Sequence, residues 1–248
     1  MDAFGGLLDG VRTAFAQIWE SATTQTAAPP SQVVLVTGVV ALAAVVVTPV
    51  WRVGRHAVTI AHEGAHAVAA LIAGRRLQGI RLHSDTSGLT VSRGRSRGPG
   101  MVLTLLAGYL GPALAGLGAA WLLQAGYPMA MLWLLVLLLA LLLLQLRNLF
   151  GLWSVTVSAA LLVAVSWWAP AEMRSAVAYA VAWFLLAGAV RPVLELQSQR
   201  ARGRARSSDA DQLARLTRIP GLVWVGVFLA GTASTAVVGG AWLLGASA

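Results

Sequence analysis

Residues 129–146 read MAMLWLLVLLLALLLLQL, a stretch of eighteen positions without a charged side chain. As an α-helix, a stretch of this length crosses most of the roughly 30 Å hydrocarbon core of a bilayer. Inside hydrocarbon, a helix also pairs its own backbone amide and carbonyl groups, which an irregular chain cannot do. Residues 129–146 therefore predict a membrane-spanning helix.

Comparable apolar stretches recur along the rest of the chain. Hydrophobic residues make up 58% of the 248 positions and charged residues only 11%, which is far from the balance of soluble domains. We therefore expect an all-α polytopic membrane protein, a bundle of about seven transmembrane helices with a small membrane-associated β-hairpin. The seven expected spans cover approximately residues 33–50, 57–73, 101–125, 129–146, 149–168, 175–191 and 220–244.

The first 31 residues differ from the rest of the chain. They contain scattered charges and end in a Thr/Ala/Pro-rich stretch, without the basic start and apolar core of a signal peptide. Residues 1–31 therefore predict an N-terminal arm, weakly amphipathic, or a loose tail. Residues 32–248 are expected to form a single transmembrane domain.

Two polar segments interrupt the apolar pattern. In residues 77–97, apolar positions alternate with polar ones around Ser84 to Gly88, which is typical of a β-hairpin with a turn. Residues 193–219 predict a cytoplasmic loop followed by a short helix over 208–217. The arginines of this loop are Arg200, Arg202, Arg204 and Arg206.

The net charge of +9 lies mostly in loops and consists entirely of arginine on the basic side. Basic loops favour the cytoplasmic side of a membrane and contact with anionic lipid, and no aromatic-interleaved basic patch indicates nucleic-acid binding. If the odd-numbered spans leave the cytoplasm, both polar segments and the amino terminus are cytoplasmic. Arg52 and Arg55 then fall on the opposite side, which favours a re-entrant second segment or a first segment that does not fully cross.

The second expected span carries His62-Glu63-Gly64-Ala65-His66. Two histidines four residues apart share one face of a helix, so both imidazoles can bind one cation. Glu63 can then act as general base toward a water that a zinc ion activates. The alternative is that these polar residues pack helices together through interhelical hydrogen bonds. That role requires neither a four-residue spacing of histidines nor Glu63, which is the only carboxylate within the expected spans.

The chain resembles the compact bacterial branch of site-2-protease-like membrane metallopeptidases. The resemblance covers approximately residues 56–244, and its segments are His62–His66, Gly74–Arg76, Leu82–Gly88, Ala107–Pro112 and Ser208–Asp211. It implies a Zn²⁺-dependent peptidase, in a bacterial cytoplasmic membrane, that cleaves substrates within or next to a transmembrane segment. It also implies that the hairpin presents the substrate as an extended strand.

A catalytic zinc needs a third protein ligand, and the absence of cysteine leaves Asp, Glu, His or Asn. Site-2 proteases use an Asp in a Leu-Asp-Gly motif, which this chain lacks. Asp209 is our first choice because it lies in one of the family-like segments, ahead of the last span. Capping of the helix over 208–217 by Ser208 or Asp209 explains the same residues equally well.

Other polar residues are weaker candidates for the third ligand. Asn148 stands roughly where the family spacing puts its Asp, but an interhelical hydrogen bond also explains it. Asp211 ranks below Asp209, and a hairpin turn already accounts for Asp85. His83 suits a headgroup contact, and His56 points about 120° away from His62 on the helix.

The function expected from these features is hydrolysis of peptide bonds in or near transmembrane segments of membrane-tethered proteins. The partners would be a membrane-embedded protein substrate and the lipid bilayer, without nucleic acid. A catalytically inactive membrane scaffold that binds transmembrane partners is the alternative. The hairpin could add a substrate strand or shield the polar site from lipid. A metal transporter is a third hypothesis, which a single acidic residue across the spans supports poorly.

Overall fold

A computed structural model describes residues 3–203 and 207–245 of the chain, so Arg204 and Arg206 lie outside the described residues. The described chain is mostly helical, with one two-stranded antiparallel sheet. Its elements in chain order are α1 (Ala3–Thr23), α2 (Ser31–Val46), α3 (Thr48–Ile72), β1 (Arg76–Leu82), β2 (Gly88–Arg93), α4 (Pro99–Gln124), α5 (Pro128–Leu143), α6 (Leu149–Trp168), α7 (Ala171–Ala201), α8 (Asp209–Thr217) and α9 (Gly221–Leu243).

The helices form a bundle whose outer surface is apolar. Within the described chain, α4, α6, α7 and α9 are long and apolar enough to cross a membrane. The pair α2 and α3 passes the same test as one unit, whereas α5 is apolar but has 16 residues. The helical membrane bundle with a small sheet is therefore confirmed, but the expected count of about seven spans is not.

Two groups of buried side chains define the two ends of the bundle, the α8 end and the α1 end. At the α8 end, α8 packs against the start of α4, the end of α7 and the start of α9, through side chains that include Leu105, Val193, Leu213 and Phe228. At the α1 end, the start of α2, the end of α4, the start of α5 and the end of α9 meet α7, through side chains that include Val34, Leu123, Leu132 and Leu243.

The first two expected spans are replaced by a helix pair bent by 100°. Proline has no amide hydrogen, so Pro49 cannot donate to the Val45 carbonyl as a continuous helix would require. Val47 is extended at the break, with φ −72° and ψ 107°. The helix that carries the two histidines therefore begins at Thr48, nine residues before the expected position 57, and leaves α2 at a sharp angle.

Arg191 of α7 supplies the donors that the break in the helix removes. Its guanidinium donates to the Val45 carbonyl and, at 3.1 Å, to the Val46 carbonyl. Glu195 accepts a hydrogen bond from Arg191 at 3.0 Å and one from the Trp51 indole at 2.9 Å. The polar groups exposed by the bend are thus paired with side chains of α7, which fixes the direction in which α3 leaves.

The hairpin is held to the bundle along β1. The Ile80 amide donates to the Gln145 carbonyl at 2.8 Å, and the Arg147 amide donates to the Ile80 carbonyl at 2.9 Å. The Asn148 side chain continues this pairing, since its oxygen accepts from the Leu82 amide and its nitrogen donates to the Leu82 carbonyl. The edge of β1 that faces away from β2 is therefore occupied by residues 145–148.

The structure also gives the bounds of the helices in two further segments. The N-terminal arm contains a regular helix, α1, which packs against α5. The expected loop over 193–219 is shorter, because α7 continues to Ala201 and α8 begins at Asp209. The longer α7 carries Glu195 and Arg200, whose ion pairs with Arg55 of α3 and Asp211 of α8 join α7 to those helices.

We predict that Arg191→Met lowers the thermal unfolding midpoint of the detergent-purified protein. The substitution leaves the Val45 and Val46 carbonyls without their charged donor, and a hydrogen bond to a charged group contributes about 1.5–3 kcal/mol. Arg202→Met is the matched control, because Arg202 is exposed at the end of α7. Equal midpoints for the two variants would contradict the role given to Arg191.

Candidate metal centre

His62 and His66 project from adjacent turns of α3 toward α4 and α8. Their Nε2 atoms lie 3.0 Å apart, and the rings meet edge to face with centroids 4.6 Å apart. His66 is 8% exposed, whereas His62 is partly exposed. The helical spacing read from the sequence thus produces two convergent imidazoles.

Asp209 reaches the same point from the first residue of α8. Its Oδ2 atom lies 3.4 Å from His62 Nε2 and 3.3 Å from His66 Nε2. Ser208 is the N-cap of α8, and its hydroxyl accepts from the Asp211 amide at 3.3 Å. Since Ser208 performs the capping, the Asp209 carboxylate is available to the histidines.

The three atoms fit the donor set of a zinc ion. Ligand atoms bound about 2.0–2.1 Å from a tetrahedral zinc lie roughly 3.3–3.4 Å apart. The observed separations are 3.0, 3.3 and 3.4 Å. Two His and one carboxylate also match the protein ligands of catalytic zinc sites, which keep the fourth position for water or substrate.

The tautomer of His66 is set by a backbone carbonyl of α4. Nδ1 lies 2.7 Å from the Thr104 carbonyl oxygen, which can only accept, so Nδ1 carries the proton. In a neutral ring, Nε2 then presents a lone pair to His62 and Asp209. A hydrogen bond from the ring nitrogen that faces away from the metal, here Nδ1, usually supports a metal-binding histidine.

The electrostatics of Asp209 agree with an anion facing two imidazoles. Burial raises the pKa of its carboxyl, and contact with His62 and His66 lowers that pKa by more when the imidazole nitrogens that face Asp209 are protonated. The result is a pKa below the ordinary range for aspartate, so the group is ionised at neutral pH. An anion in this position favours binding of a cation between the three side chains.

Glu63 is buried beside this group, at 4% exposure, under the hairpin. The Thr90 hydroxyl of β2 lies 2.6 Å from Glu63 Oε2 and 3.0 Å from the Glu63 carbonyl oxygen, and it donates its one proton to these acceptors. A side chain at Gly88 would place its Cβ 2.5 Å from Glu63 Oε1. Strand β2 therefore lies directly against the carboxylate.

Helix α4 closes the opposite side of the two histidines at Gly108. A Cβ added there would lie 2.7 Å from His62 Cε1 and closer still to the His66 ring. The next residue, Tyr109, meets His62 edge to face at 4.9 Å and stacks on Phe228 of α9 at 4.8 Å. The close approach of α4 therefore depends on the missing side chain at Gly108.

The remaining sequence candidates are engaged elsewhere. Asn148 uses both ends of its amide on Leu82, and Asp211 pairs with Arg200 and Ser208. Asp85 lies in the hairpin turn, where hydrogen bonds from Ser87 lower the pKa of its carboxyl.

The two other histidines also have neighbours of their own. His83 lies 3.3 Å from the Ser87 hydroxyl, and His56 contacts the ring of Phe150. Of the third-ligand candidates, Asp209 is therefore the residue that the structure brings to His62 and His66.

Sequence reasoning missed Thr90 and Thr104. Thr90 is one of several polar residues in an alternating strand, and only the packing of β2 on α3 selects it. Thr104 acts through its backbone carbonyl, which every residue has, so the sequence cannot indicate its role. Gly108 lies in the Ala107–Pro112 segment of the resemblance, and the structure shows that this glycine leaves room for the two histidines.

We predict that Gly108→Ala lowers the stability of the protein and that Gly118→Ala does not. Both glycines lie in α4, where alanine is normally favoured by about 0.5–1 kcal/mol. A Cβ at Gly118 meets nothing within 4 Å, whereas one at Gly108 collides with the two imidazoles. In thermal unfolding, Gly118→Ala should match or exceed the parent, and Gly108→Ala should fall below it. A gain for both variants would contradict the close approach of α4.

Comparison with known proteins agrees with this geometry. The family model described as Peptidase M50B-like matches residues 35–239, which include α3, the hairpin, α4 and α8. No curated protein and no solved structure matches the chain significantly. The match covers most of the 248 residues and confirms the resemblance read from the sequence, so the chain belongs to the Peptidase M50B-like family and is a membrane metallopeptidase of the site-2-protease type.

Proposed function

We propose that the protein is a zinc-dependent intramembrane endopeptidase, which hydrolyses peptide bonds in or near transmembrane segments of membrane-tethered substrates. The observation that supports this most strongly is the triangle formed by His62 Nε2, His66 Nε2 and Asp209 Oδ2, with sides of 3.0–3.4 Å. Glu63 lies one residue from the first histidine, buried under β2. We propose the cytoplasmic membrane of a bacterium as its location.

In the proposed mechanism, His62, His66 and Asp209 hold the zinc and Glu63 moves the protons. Zinc, when bound, polarises the scissile carbonyl and lowers the pKa of the attacking water. Glu63 accepts a proton from that water and donates it to the amide nitrogen that leaves. Thr90 orients the carboxylate through Oε2, and Thr104 keeps His66 in the tautomer that presents Nε2.

We further propose that the substrate pairs with the outer edge of β2. A protease needs an extended backbone, and an edge strand supplies one by main-chain pairing. The far edge of β1 is occupied by residues 145–148, and no further strand pairs with β2 among the described residues. Leu89 and Val91 are 52% and 39% exposed on β2, so an apolar segment would find apolar side chains there.

A catalytically inactive scaffold that binds transmembrane partners is the second candidate. It would retain the helical bundle and the hairpin without requiring a bound ion. The buried carboxylate of Glu63 favours the enzyme, because an ionisable group in a membrane segment is costly and usually marks a functional site. Stoichiometric zinc in the purified protein would support the enzyme, and its absence would support the scaffold.

We predict that Asp209→Asn removes zinc and that Asp211→Asn does not. The two acids lie in the same turn of α8, but Asp211 is paired with Arg200 and Ser208. Removal of a residue that hydrogen-bonds to a zinc ligand typically weakens zinc binding by about 10–100-fold. Asp209→Asn removes a proposed ligand itself, so it should weaken zinc binding by more. Zinc content after dialysis against a buffered chelator measures this, and equal retention by both variants would exclude Asp209 as a ligand.

Glu63→Gln should keep the zinc and lose the activity. A general base contributes about 10²–10⁴-fold, so cleavage should fall by at least that factor. The assay is cleavage of single-span test proteins reconstituted with the enzyme, followed by mass spectrometry of the fragments. Wild-type activity in Glu63→Gln would rule out the proposed base.

Thr90→Val should lower kcat without loss of zinc, and Thr90→Ser should restore it. A hydrogen bond to a charged group contributes about 1.5–3 kcal/mol, so the fall should be about tenfold to a hundredfold. Valine keeps the shape of the side chain but removes the hydroxyl. Recovery with serine separates orientation of Glu63 from packing of β2, and equal kcat for the valine and serine variants would exclude that orientation.

A further inference from the structure

Helix α1 carries a packed line of residues, an adjoining exposed apolar line and a polar face. Its partly buried residues Ala14, Ile18, Ser21 and Ala22 follow one line along the helix, which packs on the bundle. A second line is apolar but exposed by 52–69%, and it consists of Leu7, Leu8, Val11, Phe15 and Trp19. The third face is polar, with Asp9, Arg12, Thr13 and Glu20 exposed. This is the pattern of a helix that lies in a membrane interface.

The residues that follow α1 are tied to the α1 end of the bundle. The Thr26 amide donates to the Gly126 carbonyl at 2.9 Å, and the Gln25 side chain donates to the Ala125 carbonyl at 3.1 Å. Ser21 accepts from the Trp133 indole at 3.2 Å. These contacts hold the second half of α1 across the start of α5, whereas the exposed apolar line continues past the bundle.

Aromatic and basic side chains mark this level of the bundle as an interface. Trp133 and Trp167 lie edge to face at 5.9 Å, and Arg174 donates to the Ala169 carbonyl at 2.6 Å. Together with Gln17 and Ser21 of α1, they line a cavity of about 180 Å³. Tryptophan and arginine of this kind are enriched where a bilayer meets water.

The length of α7 sets the distance to the other interface. Residues 175–190 carry no charge, and Arg174 and Arg191 stand on either side of them. Seventeen residues of helix rise roughly 25 Å, close to the thickness of the hydrocarbon core. Arg174 and Arg191 therefore bracket the hydrocarbon, and α1 lies at the Arg174 side of it.

The distribution of arginine distinguishes the two sides of the membrane. At the α1 end, Arg12 and Arg174 are accompanied by the acids Asp9, Glu20 and Glu172. The segments of the α8 end carry many more arginines, which include Arg75, Arg76, Arg147, Arg200, Arg215 and Arg218. Arginine-rich loops face the cytoplasm, so the α8 end is the cytoplasmic one.

The bent helix pair removes the conflict in the sequence-based topology. Val34 of α2 lies at the α1 end, whereas Val46 reaches Arg191. A side chain at Gly100, at the start of α4, would contact Ala73 at the end of α3, so α3 ends at the α8 end. The pair α2 and α3 thus crosses the membrane once, and Arg52 and Arg55 lie on the same side as the arginines of the α8 end.

We propose that α1 lies in the outer interface of the membrane, on the face opposite the α8 end, with Leu7, Val11, Phe15 and Trp19 among the lipids. Its partner is the phospholipid surface itself, because the apolar line continues the lipid-facing surface of the bundle at the level of the tryptophans. The proposal reverses the expected cytoplasmic position of the amino terminus. It does not depend on the proposed peptidase function.

Single cysteines test the proposal directly, since the chain contains none. Ala16→Cys reports the polar face, where Ala16 lies one turn from both Arg12 and Glu20. Phe15→Cys reports the apolar line, and Ser207→Cys reports the segment between α7 and α8; all three side chains are exposed.

In intact spheroplasts, a membrane-impermeant maleimide should label Ala16→Cys and should label Phe15→Cys several-fold less. It should reach Ser207→Cys only after lysis. Labelling of Ala16→Cys only after lysis, or of Ser207→Cys before lysis, would overturn the orientation.

A second measurement distinguishes lipid from a protein partner. A fluorophore on Phe15→Cys, in pure protein reconstituted into phosphatidylcholine and phosphatidylglycerol vesicles, should be quenched by brominated phospholipid more strongly than the same fluorophore on Ala16→Cys. Equal quenching at the two positions would overturn insertion of the apolar line into lipid. Because neither measurement uses activity, failure of the proposal is separable from failure of the peptidase.

Discussion

Three electron-rich atoms meet within 3.4 Å of one another inside an apolar helical bundle. Without a cation or protons between them, the lone pairs of His62, His66 and Asp209 repel one another. The arrangement is therefore stable when a metal or protons neutralise it. This requirement fixes the position of α3 relative to α8, since these two helices supply the three side chains. It also explains Gly108 of α4, which makes room for the two histidines.

The placement of α3 depends on contacts far from the metal centre. Pro49 breaks the helix, and Arg191 and Glu195 of α7 pair the polar groups left at the break. On the other side, Thr90 of β2 bonds to Glu63, while residues 145–148 hold β1 in place. The hairpin thus fixes the carboxylate of Glu63, and the helices fix the three candidate metal ligands. Substitutions can therefore disturb the general base and the metal ligands separately.

The sequence predicted the membrane bundle and the two histidines because both rest on local spacing. Apolar length predicts a helix in lipid, and an interval of four residues predicts a shared face. Asp209 could be nominated but not separated from a helix cap, and the decision came from Ser208, whose hydroxyl occupies the cap. That assignment requires the geometry of α8 relative to α3.

The number of spans and the topology were beyond sequence reasoning for a related reason. Val46 and Arg191 are 145 residues apart, yet their hydrogen bond accompanies the bend that replaces two expected spans by one bent helix pair. Thr90 and Glu63 are 27 residues apart in different elements, and no local pattern pairs them. Interactions of this kind depend on tertiary packing, which residue spacing does not encode.

X-ray absorption spectroscopy at the zinc edge, on the purified protein after removal of loosely bound metal, tests the central claim most directly. The account predicts one zinc per chain, with two imidazole ligands at about 2.0 Å and oxygen in the remaining positions. A protein that retains no zinc, or a spectrum without the scattering of two imidazole rings, would contradict it.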